Sequence, residues 1–262
     1  MISILFLLVW FASVYLGYLL VPIWYLIPAW IILGFIIGLL VLFLLLILLM
    51  PVMKFTKPNS KFKYHLAKSF AIFLNIFILR IVITSKGRKN IPKTGKLTVY
   101  ANHKSQTDPV IIMSIFNRGL AFTPKISLYK IPILAQYMNY IGCLPIDRED
   151  NRRTAKTMIE AIKNVEKGHA MLIFPEAGIK SRETELMVDA RGGAYKIGTK
   201  AESDFLPITI IGASKLATRK WWQFSKIKVY VHPVIKHEEV KELTTNELAD
   251  KMFDIINSKI KE

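Results

Sequence analysis

From Met1 to Met53 the chain carries no charged side chain, and this limits what it can fold into more than any other feature. A helix crossing the hydrocarbon core of a bilayer needs about 20 apolar residues, so the segment can supply two, over residues 1–20 and 30–50. Between them, Val21-Pro22-Ile23-Trp24-Tyr25-Leu26-Ile27-Pro28 joins two prolines to aromatics that favour the headgroup region, which suits a turn. A cleaved secretory signal is excluded for the first helix, because it has neither a basic n-region nor a small-x-small cleavage site. Composition fits both a double crossing and a hairpin that dips into one leaflet. Lys54, Lys57, Lys61 and Lys63 follow directly, and that basic flank argues for the cytoplasmic side. Residues 1–53 therefore read as a membrane hairpin, and residues 54–262 as one domain large enough for its own core.

The formal net charge of +17 falls entirely on residues 54–262. Such a basic surface attracts nucleic acid or anionic lipid. Beside a membrane anchor, lipid headgroups are the simpler partner. No zinc-ligand spacing and no aromatic RNA-binding pattern accompanies the charge, so nucleic acid is not expected. Cys143 is the only cysteine, which rules out disulfides within the chain and fits a reducing compartment. Its expected role is that of a small buried hydrophobe.

Apolar or alternating runs recur at 79–84, 97–101, 120–123, 170–174, 205–211 and 227–231, the pattern of strands. Helix-like stretches lie at 61–78, 109–117, 152–166, 190–201 and 245–258. The last of these opens on Thr244-Thr245-Asn246-Glu247, a capping-box pattern. Strands interleaved with helices predict an α/β domain whose sheet is mostly parallel or mixed, flanked by helices and preceded by the two-helix hairpin.

One loop in that scaffold carries the materials of acid–base chemistry. Asn102-His103-Lys104-Ser105-Gln106-Thr107-Asp108 follows the run at 97–101 and precedes Pro109. Asp can cap a helix start and Pro can occupy its first position, so His103 and Asp108 share a strand-to-helix loop. A carboxylate there can bind one imidazole nitrogen, fix the tautomer and raise the basicity of the other nitrogen. Ser105 is expected to bond backbone. There is no G-x-S-x-G elbow, which excludes the α/β-hydrolase kind of serine chemistry.

Three further stretches end apolar runs in charged residues or break them: Ile141-Gly142-Cys143-Leu144-Pro145-Ile146-Asp147-Arg148, then Leu172 through Arg182, then Phe205-Leu206-Pro207-Ile208. Pro207 suggests a strand that lies at a sheet edge or is just being entered. Arg148, Lys180 and Arg182 all follow runs that would end on one rim. Arg suits phosphate because its planar fork holds two oxygens at once.

The segment "NHKSQTD" matches the N-H-x-S-x-x-D pattern of the glycerolipid acyltransferases, the family of 1-acyl-glycerol-3-phosphate acyltransferase. "PKISLYKIPILAQYMNYIGCLPIDR", "FPEAGIKSR" and "FLPITIIG" resemble that family's second, third and fourth blocks, in family order, and the likeness covers roughly residues 80 to 235. One departure stands out: Ala177-Gly178-Ile179 replaces the Gly-Thr-Arg that usually follows Pro-Glu. The resemblance implies transfer of a fatty acyl group from a carrier thioester, acyl carrier protein or CoA, to the free hydroxyl of lysophosphatidic acid. It needs no cofactor, no metal and no covalent enzyme intermediate. His103 would be the base and Asp108 its orienting carboxylate, with Arg148, Glu176, Lys180 and Arg182 around the acceptor's phosphate. Asn102, Ser105, Lys125, Pro175, Gly178 and Pro207 would support them. The alternatives are another lysophospholipid or glycerol-3-phosphate as acceptor, or a non-catalytic, membrane-anchored basic binding module.

Overall fold

The structure, a computed structural model, describes residues 1–58, 60–147 and 149–260. Two helices, α1 (Ile2–Leu20) and α2 (Ile27–Phe55), form the expected hairpin, joined by a short turn that includes a 3₁₀ segment at Trp24–Leu26. Both are long and apolar enough to cross a membrane. Gly34 and Gly38 of α2 let the helices approach closely. A Cβ at Gly38 would lie 2.8 Å from the Phe6 ring, and one at Gly34 would lie 3.0 Å from the Trp10 carbonyl. This is the small-xxx-small spacing that packs membrane helices.

Helix α3 (Lys61–Phe73) starts where the Ser60 hydroxyl accepts the Lys63 N–H at 3.3 Å. It ends in a π turn over Leu74–Ile78. The hairpin leans on this helix. Phe6 is buried between Phe73 and Phe77, each ring centroid 5.0 Å away, and the Ile2 amide donates to Ser69 Oγ at 2.8 Å. Leu42, Met53 and Leu66 belong to the same buried cluster, so hairpin and domain share part of their apolar interior.

Among the described residues the domain holds one six-stranded sheet in the order β1 (Ile81–Lys86), β6 (Ser225–Val231), β5 (Asp204–Ile211), β2 (Leu97–Ala101), β4 (Ala170–Ile173), β3 (Leu120–Phe122). Every pairing is parallel except β5 with β6, so the sheet is mixed. Central β2 is buried on both faces, as a strand covered by helices on each side must be. Helices α3 and α4 (Asp108–Ile115) pack together over one face. On the other, Ala161 and Val165 of α6 (Asn151–Glu166), Tyr195 and Ile197 of α7 (Gly192–Lys200), and Leu248 and Met252 of α8 (Thr245–Asn257) meet Tyr100, Met171 and Phe205 of the sheet. The capping box at Thr244 and Glu247 forms as the sequence indicates.

Three details differ from the sequence reading. Pro132–Tyr140 forms an additional helix, α5, inside the second motif block. Thr107 occupies the N-cap position of α4 without a side-chain capping bond, and Asp108 is already in the first turn. Pro207 lies in β5, an interior strand paired on both sides, and not at an edge. Its carbonyl accepts the His232 N–H at 3.1 Å, so its donor-less nitrogen faces the side where the β6 ladder has already stopped at Val231. That gap in the ladder is what an interior proline requires.

Strand directions also fix what shares an end of the sheet. The carboxyl ends of β2, β4 and β5 coincide with the amino ends of β6 and β1. Helix α3 runs toward this same rim. Tyr64 and Lys68 near its start donate to the Phe116 carbonyl just after α4, whereas Asn75 in the π turn donates to the Val110 carbonyl in the first turn of α4.

Candidate active site

The rim carries the His103 loop. β2 ends at Ala101, and Asn102 then extends the pairing with β5 through its side chain. Its Oδ1 accepts the Ile210 N–H at 2.8 Å, and its Nδ2 donates to the carbonyls of Ile210 (2.8 Å) and Glu185 (2.9 Å). The loop therefore leaves the sheet from a fixed point. Asp108, fully buried at the start of α4, turns its carboxylate back into the loop. Its Oδ2 accepts the backbone N–H groups of Lys104 and Ser105, each at 2.8 Å, and His103 Nδ1–H at 2.9 Å. The positive end of the α4 dipole favours the anion there. Oδ1 is buried without a partner among the described residues.

With Nδ1 donating to Asp108, the lone pair of the neutral ring lies on Nε2. Nε2 has no hydrogen-bond partner among the described residues, so it is free to take a proton. Phe174 stacks on the imidazole, centroids 4.1 Å apart and planes 20° from parallel, and shields one face from water. Ser105 Oγ accepts the Thr107 N–H at 3.3 Å and contacts Thr107 Oγ1 at 2.9 Å; it is engaged in the loop's own turn.

Glu176 is placed differently from its expected role at an acceptor phosphate. It is fully buried, and its Oε1 accepts the His103 backbone N–H at 2.8 Å while Oε2 faces Lys104 Nζ at 3.5 Å. A carboxylate so enclosed does not reach Lys180 or Arg182; it fixes the main chain of His103 from the turn after β4. Burial pushes the Glu176 carboxyl above its usual value, and the His103 N–H and Lys104 oppose that shift. Lys104, also fully buried, donates to the Ser181 carbonyl at 3.3 Å and so ties the His103 loop to the loop after β4. Sequence reasoning missed this lysine. The available signal was a cation beside the histidine and a Pro-Glu pair ending a neighbouring run.

Pro175 is buried at the turn after β4, where the Ala177 N–H donates to the Phe174 carbonyl at 3.0 Å. Ala177 has φ 54° and Gly178 has φ 156°, so the altered third block puts an alanine in the left-handed region and the glycine one step later. Lys180 and Arg182 are exposed beyond it, with no ion-pair partner among the described residues. Lys125 is exposed on the connection after β3, where it bridges to Ile146. Arg148 lies outside the described residues. Cys143 is buried, and burial pushes its thiol up to about 12. A pocket lined by Lys63, Tyr64, Arg118 and His169 opens at the other ends of β3 and β4, away from this site.

The chain is similar to known acyltransferases. A family model described as Acyltransferase matches residues 82–211, which include His103, Asp108 and Glu176. A 1-acyl-sn-glycerol-3-phosphate acyltransferase of Borreliella burgdorferi is 27% identical over 191 residues, covering 72% of this chain and 76% of that one. A probable 1-acyl-sn-glycerol-3-phosphate acyltransferase of Mycoplasma pneumoniae is 30% identical over 161 residues, covering 60% and 58%. The crystal structure of the 1-acyl-sn-glycerophosphate acyltransferase of Thermotoga maritima superposes with a TM-score of 0.65 at 22% identity, over 74% of this chain and 77% of that one, and so shares the fold. With the family model, these relatives and the four ordered motif blocks in agreement, the chain belongs to the acyltransferase family.

Proposed function

We propose that the protein acylates the free hydroxyl of lysophosphatidic acid, drawing the acyl group from a thioester of acyl carrier protein or CoA, to give phosphatidic acid. The observation that carries this reading is His103 held through Nδ1 by Asp108 at 2.9 Å, with Nε2 left without a partner among the described residues. A glycerol hydroxyl is a poor nucleophile near neutral pH and needs a base at the moment of attack. His103 Nε2 takes the hydroxyl proton as the oxygen attacks the thioester carbonyl, and Asp108 stabilises the imidazolium. Collapse of the tetrahedral intermediate breaks the C–S bond, and the departing thiolate receives the proton from Nε2. The thioester is already a good leaving group, so no acyl-enzyme is required, and no metal or cofactor enters.

Lys180 and Arg182 are the cations on the described part of the rim that suit the acceptor's phosphate, with Arg148 as the second arm of the clamp. The relatives named as 1-acyl-sn-glycerol-3-phosphate acyltransferases support this choice of acceptor. The hairpin anchors the domain in the membrane that supplies the acceptor, with residues 54–262 on the cytoplasmic side, as the lysines after α2 suggest.

The test is an acyl-transfer assay with the purified full chain in lipid vesicles, comparing lysophosphatidic acid with an uncharged monoacylglycerol and an acyl-carrier-protein donor with a CoA donor. Arg182→Ala should raise KM for the phosphate-bearing acceptor more than it lowers kcat, as lost ground-state binding does. No turnover of lysophosphatidic acid with either donor overturns the reading. Equal use of both acceptors before and after the substitution removes Arg182 from the phosphate.

A further inference from the structure

Away from the His103 loop, the turn that precedes β6 presents an unusual surface. Lys220-Trp221-Trp222-Gln223 closes through the Gln223 N–H donating to the Lys220 carbonyl at 3.0 Å, and the Lys220 N–H donates to Gln223 Oε1 at 3.1 Å. The two indoles are the central residues of that turn, 75% and 52% exposed, and Phe224 next to them is 69% exposed. The indoles stand edge to face, centroids 5.7 Å apart. Contiguous exposed aromatics of this kind mark a contact surface.

The turn is held rigid from beneath. The Arg219 guanidinium donates to the Gln223 carbonyl at 2.6 Å and to the carbonyls of Leu79 and Arg80. Cations surround the rings: the Arg80 guanidinium sits over Trp221 at 5.1 Å and Lys220 Nζ over Trp222 at 5.4 Å, with exposed Lys226 following in β6. Trp and Phe beside Lys and Arg is the composition that favours a membrane–water interface, rings at the hydrocarbon boundary and cations among the phosphates.

Position adds a second argument. The turn leaves β5 and enters β6 at the rim that carries His103, and it contacts Leu79 and Arg80 where the chain arrives from the hairpin. Ile76 and Ile78, both exposed on the π turn, continue the apolar surface from the hairpin contact at Phe77 to that point. Hairpin, aromatic turn and His103 therefore face the same way.

We propose that the Trp221–Trp222–Phe224 turn is a second membrane-binding element, which inserts its rings at the headgroup–hydrocarbon boundary of an anionic bilayer while Arg80, Lys220 and Lys226 meet lipid phosphates. The hairpin tethers the domain, and the turn, fixed to the sheet, sets the tilt at which the rim meets the lipid surface. This deepens the membrane acyltransferase reading and rests on it for the purpose of the tilt, but lipid contact by the turn can be measured without acyl transfer.

The test uses the full chain. Gln223→Cys, labelled with a polarity-sensitive dye, reports on the turn, because the native thiol of Cys143 is buried. Phe224→Cys is the second labelled position in case the first perturbs the turn, and Lys163→Cys on α6 is the control. In vesicles containing phosphatidylglycerol, the dye on the turn should shift to the blue, be quenched by lipids brominated near the headgroup and resist aqueous iodide. Emission and quenching like those of the Lys163 control at both positions overturn the proposal. Equal insertion into phosphatidylcholine vesicles overturns the anionic preference. Trp221→Ala with Trp222→Ala should raise KM for a vesicle-bound acceptor by about tenfold or more, tenfold being roughly the scale of one large apolar side chain losing its burial, and leave turnover of a short-chain, water-dissolved acceptor unchanged. An equal loss on both acceptors overturns the role in tilt. An inactive wild type sinks the enzymatic reading and leaves the dye result standing.

Discussion

At the scale of single residues, the His103 loop separates proton transfer from positioning. His103→Ala should lower acyl transfer by about a hundred- to ten-thousand-fold, the usual contribution of a general base, with the protein still folded. Asp108→Asn should lose activity too, since the amide cannot offer the imidazolium a charge. Near-normal turnover in His103→Ala would remove His103 as the base. Lys104 and Glu176 act on the loop from inside the domain. Lys104→Met leaves the Glu176 carboxylate buried without its cation, and breaking a buried pair costs about 3 kcal/mol. Adding Glu176→Gln should recover much of that loss, because the amide oxygen still accepts the His103 N–H. Chemical denaturation of the parent, the single variant and the double variant in detergent checks it; a Lys104→Met variant as stable as the parent would show that leaving Glu176 without its cation carries no cost. The His103–Asp108 partnership was legible in the sequence because both residues lie on one short loop. The place of Glu176 was not, because it is 73 residues from His103 in the chain and meets it only through the pairing of β4 with β2. Lys104 was hidden by the ordinary expectation that a loop lysine is solvated.

At the scale of elements, apolar periodicity located all six strands to within a few residues, but not their order. That β6 runs antiparallel to β5 depends on the connection through residues 212–224, and no local pattern encodes its direction. Pro207 shows the same limit. A proline is read as an edge signal because it lacks a donor, yet here the neighbouring strand stops where the donor would be needed. Just past that point, His232 links β6 to β5 and α8. Its Nε2 lies 2.8 Å from Thr209 Oγ1, and that hydroxyl donates to the Ile256 carbonyl at 2.5 Å. The hydroxyl proton is thus committed to Ile256, and His232 Nε2–H donates to Thr209. Burial, with Lys259 nearby, pushes His232 down to about 4. The folded state prefers the neutral ring, so this contribution to stability is complete above the unfolded value near 6.5 and is lost as pH falls toward 4. His232→Gln should flatten the stability profile between those two values. An unchanged acid dependence in thermal melts would show that His232 does not set it.

At the scale of the whole molecule, the charge-free segment announced a hairpin, but not how tightly it would bind its own domain. Removing residues 1–53 takes away Phe6, Leu42 and Met53, against which Leu66 and Phe73 are buried. It also removes the Leu46 carbonyl that accepts the Tyr137 hydroxyl at 2.6 Å, and the Ile2 amide bonded to Ser69. Each large apolar side chain returned to water costs about 1.5–3 kcal/mol, so uncovering Leu66 and Phe73 alone destabilises the remainder by several kcal/mol. For a domain of this size that corresponds to a fall in Tm of roughly 10 °C. The truncated chain should therefore melt earlier than the full chain in the same detergent and aggregate when the detergent is withdrawn. Leu66→Ser with Phe73→Ser in the truncated chain should restore part of its solubility, because the uncovered patch is then polar, although neither substitution touches the His103 loop. Thermal melts and sedimentation of the three forms decide the matter. A truncated domain that is monomeric without detergent, and as stable as the full chain, would mean that the hairpin is only a tether and that the cluster around Phe6 contributes nothing to the fold.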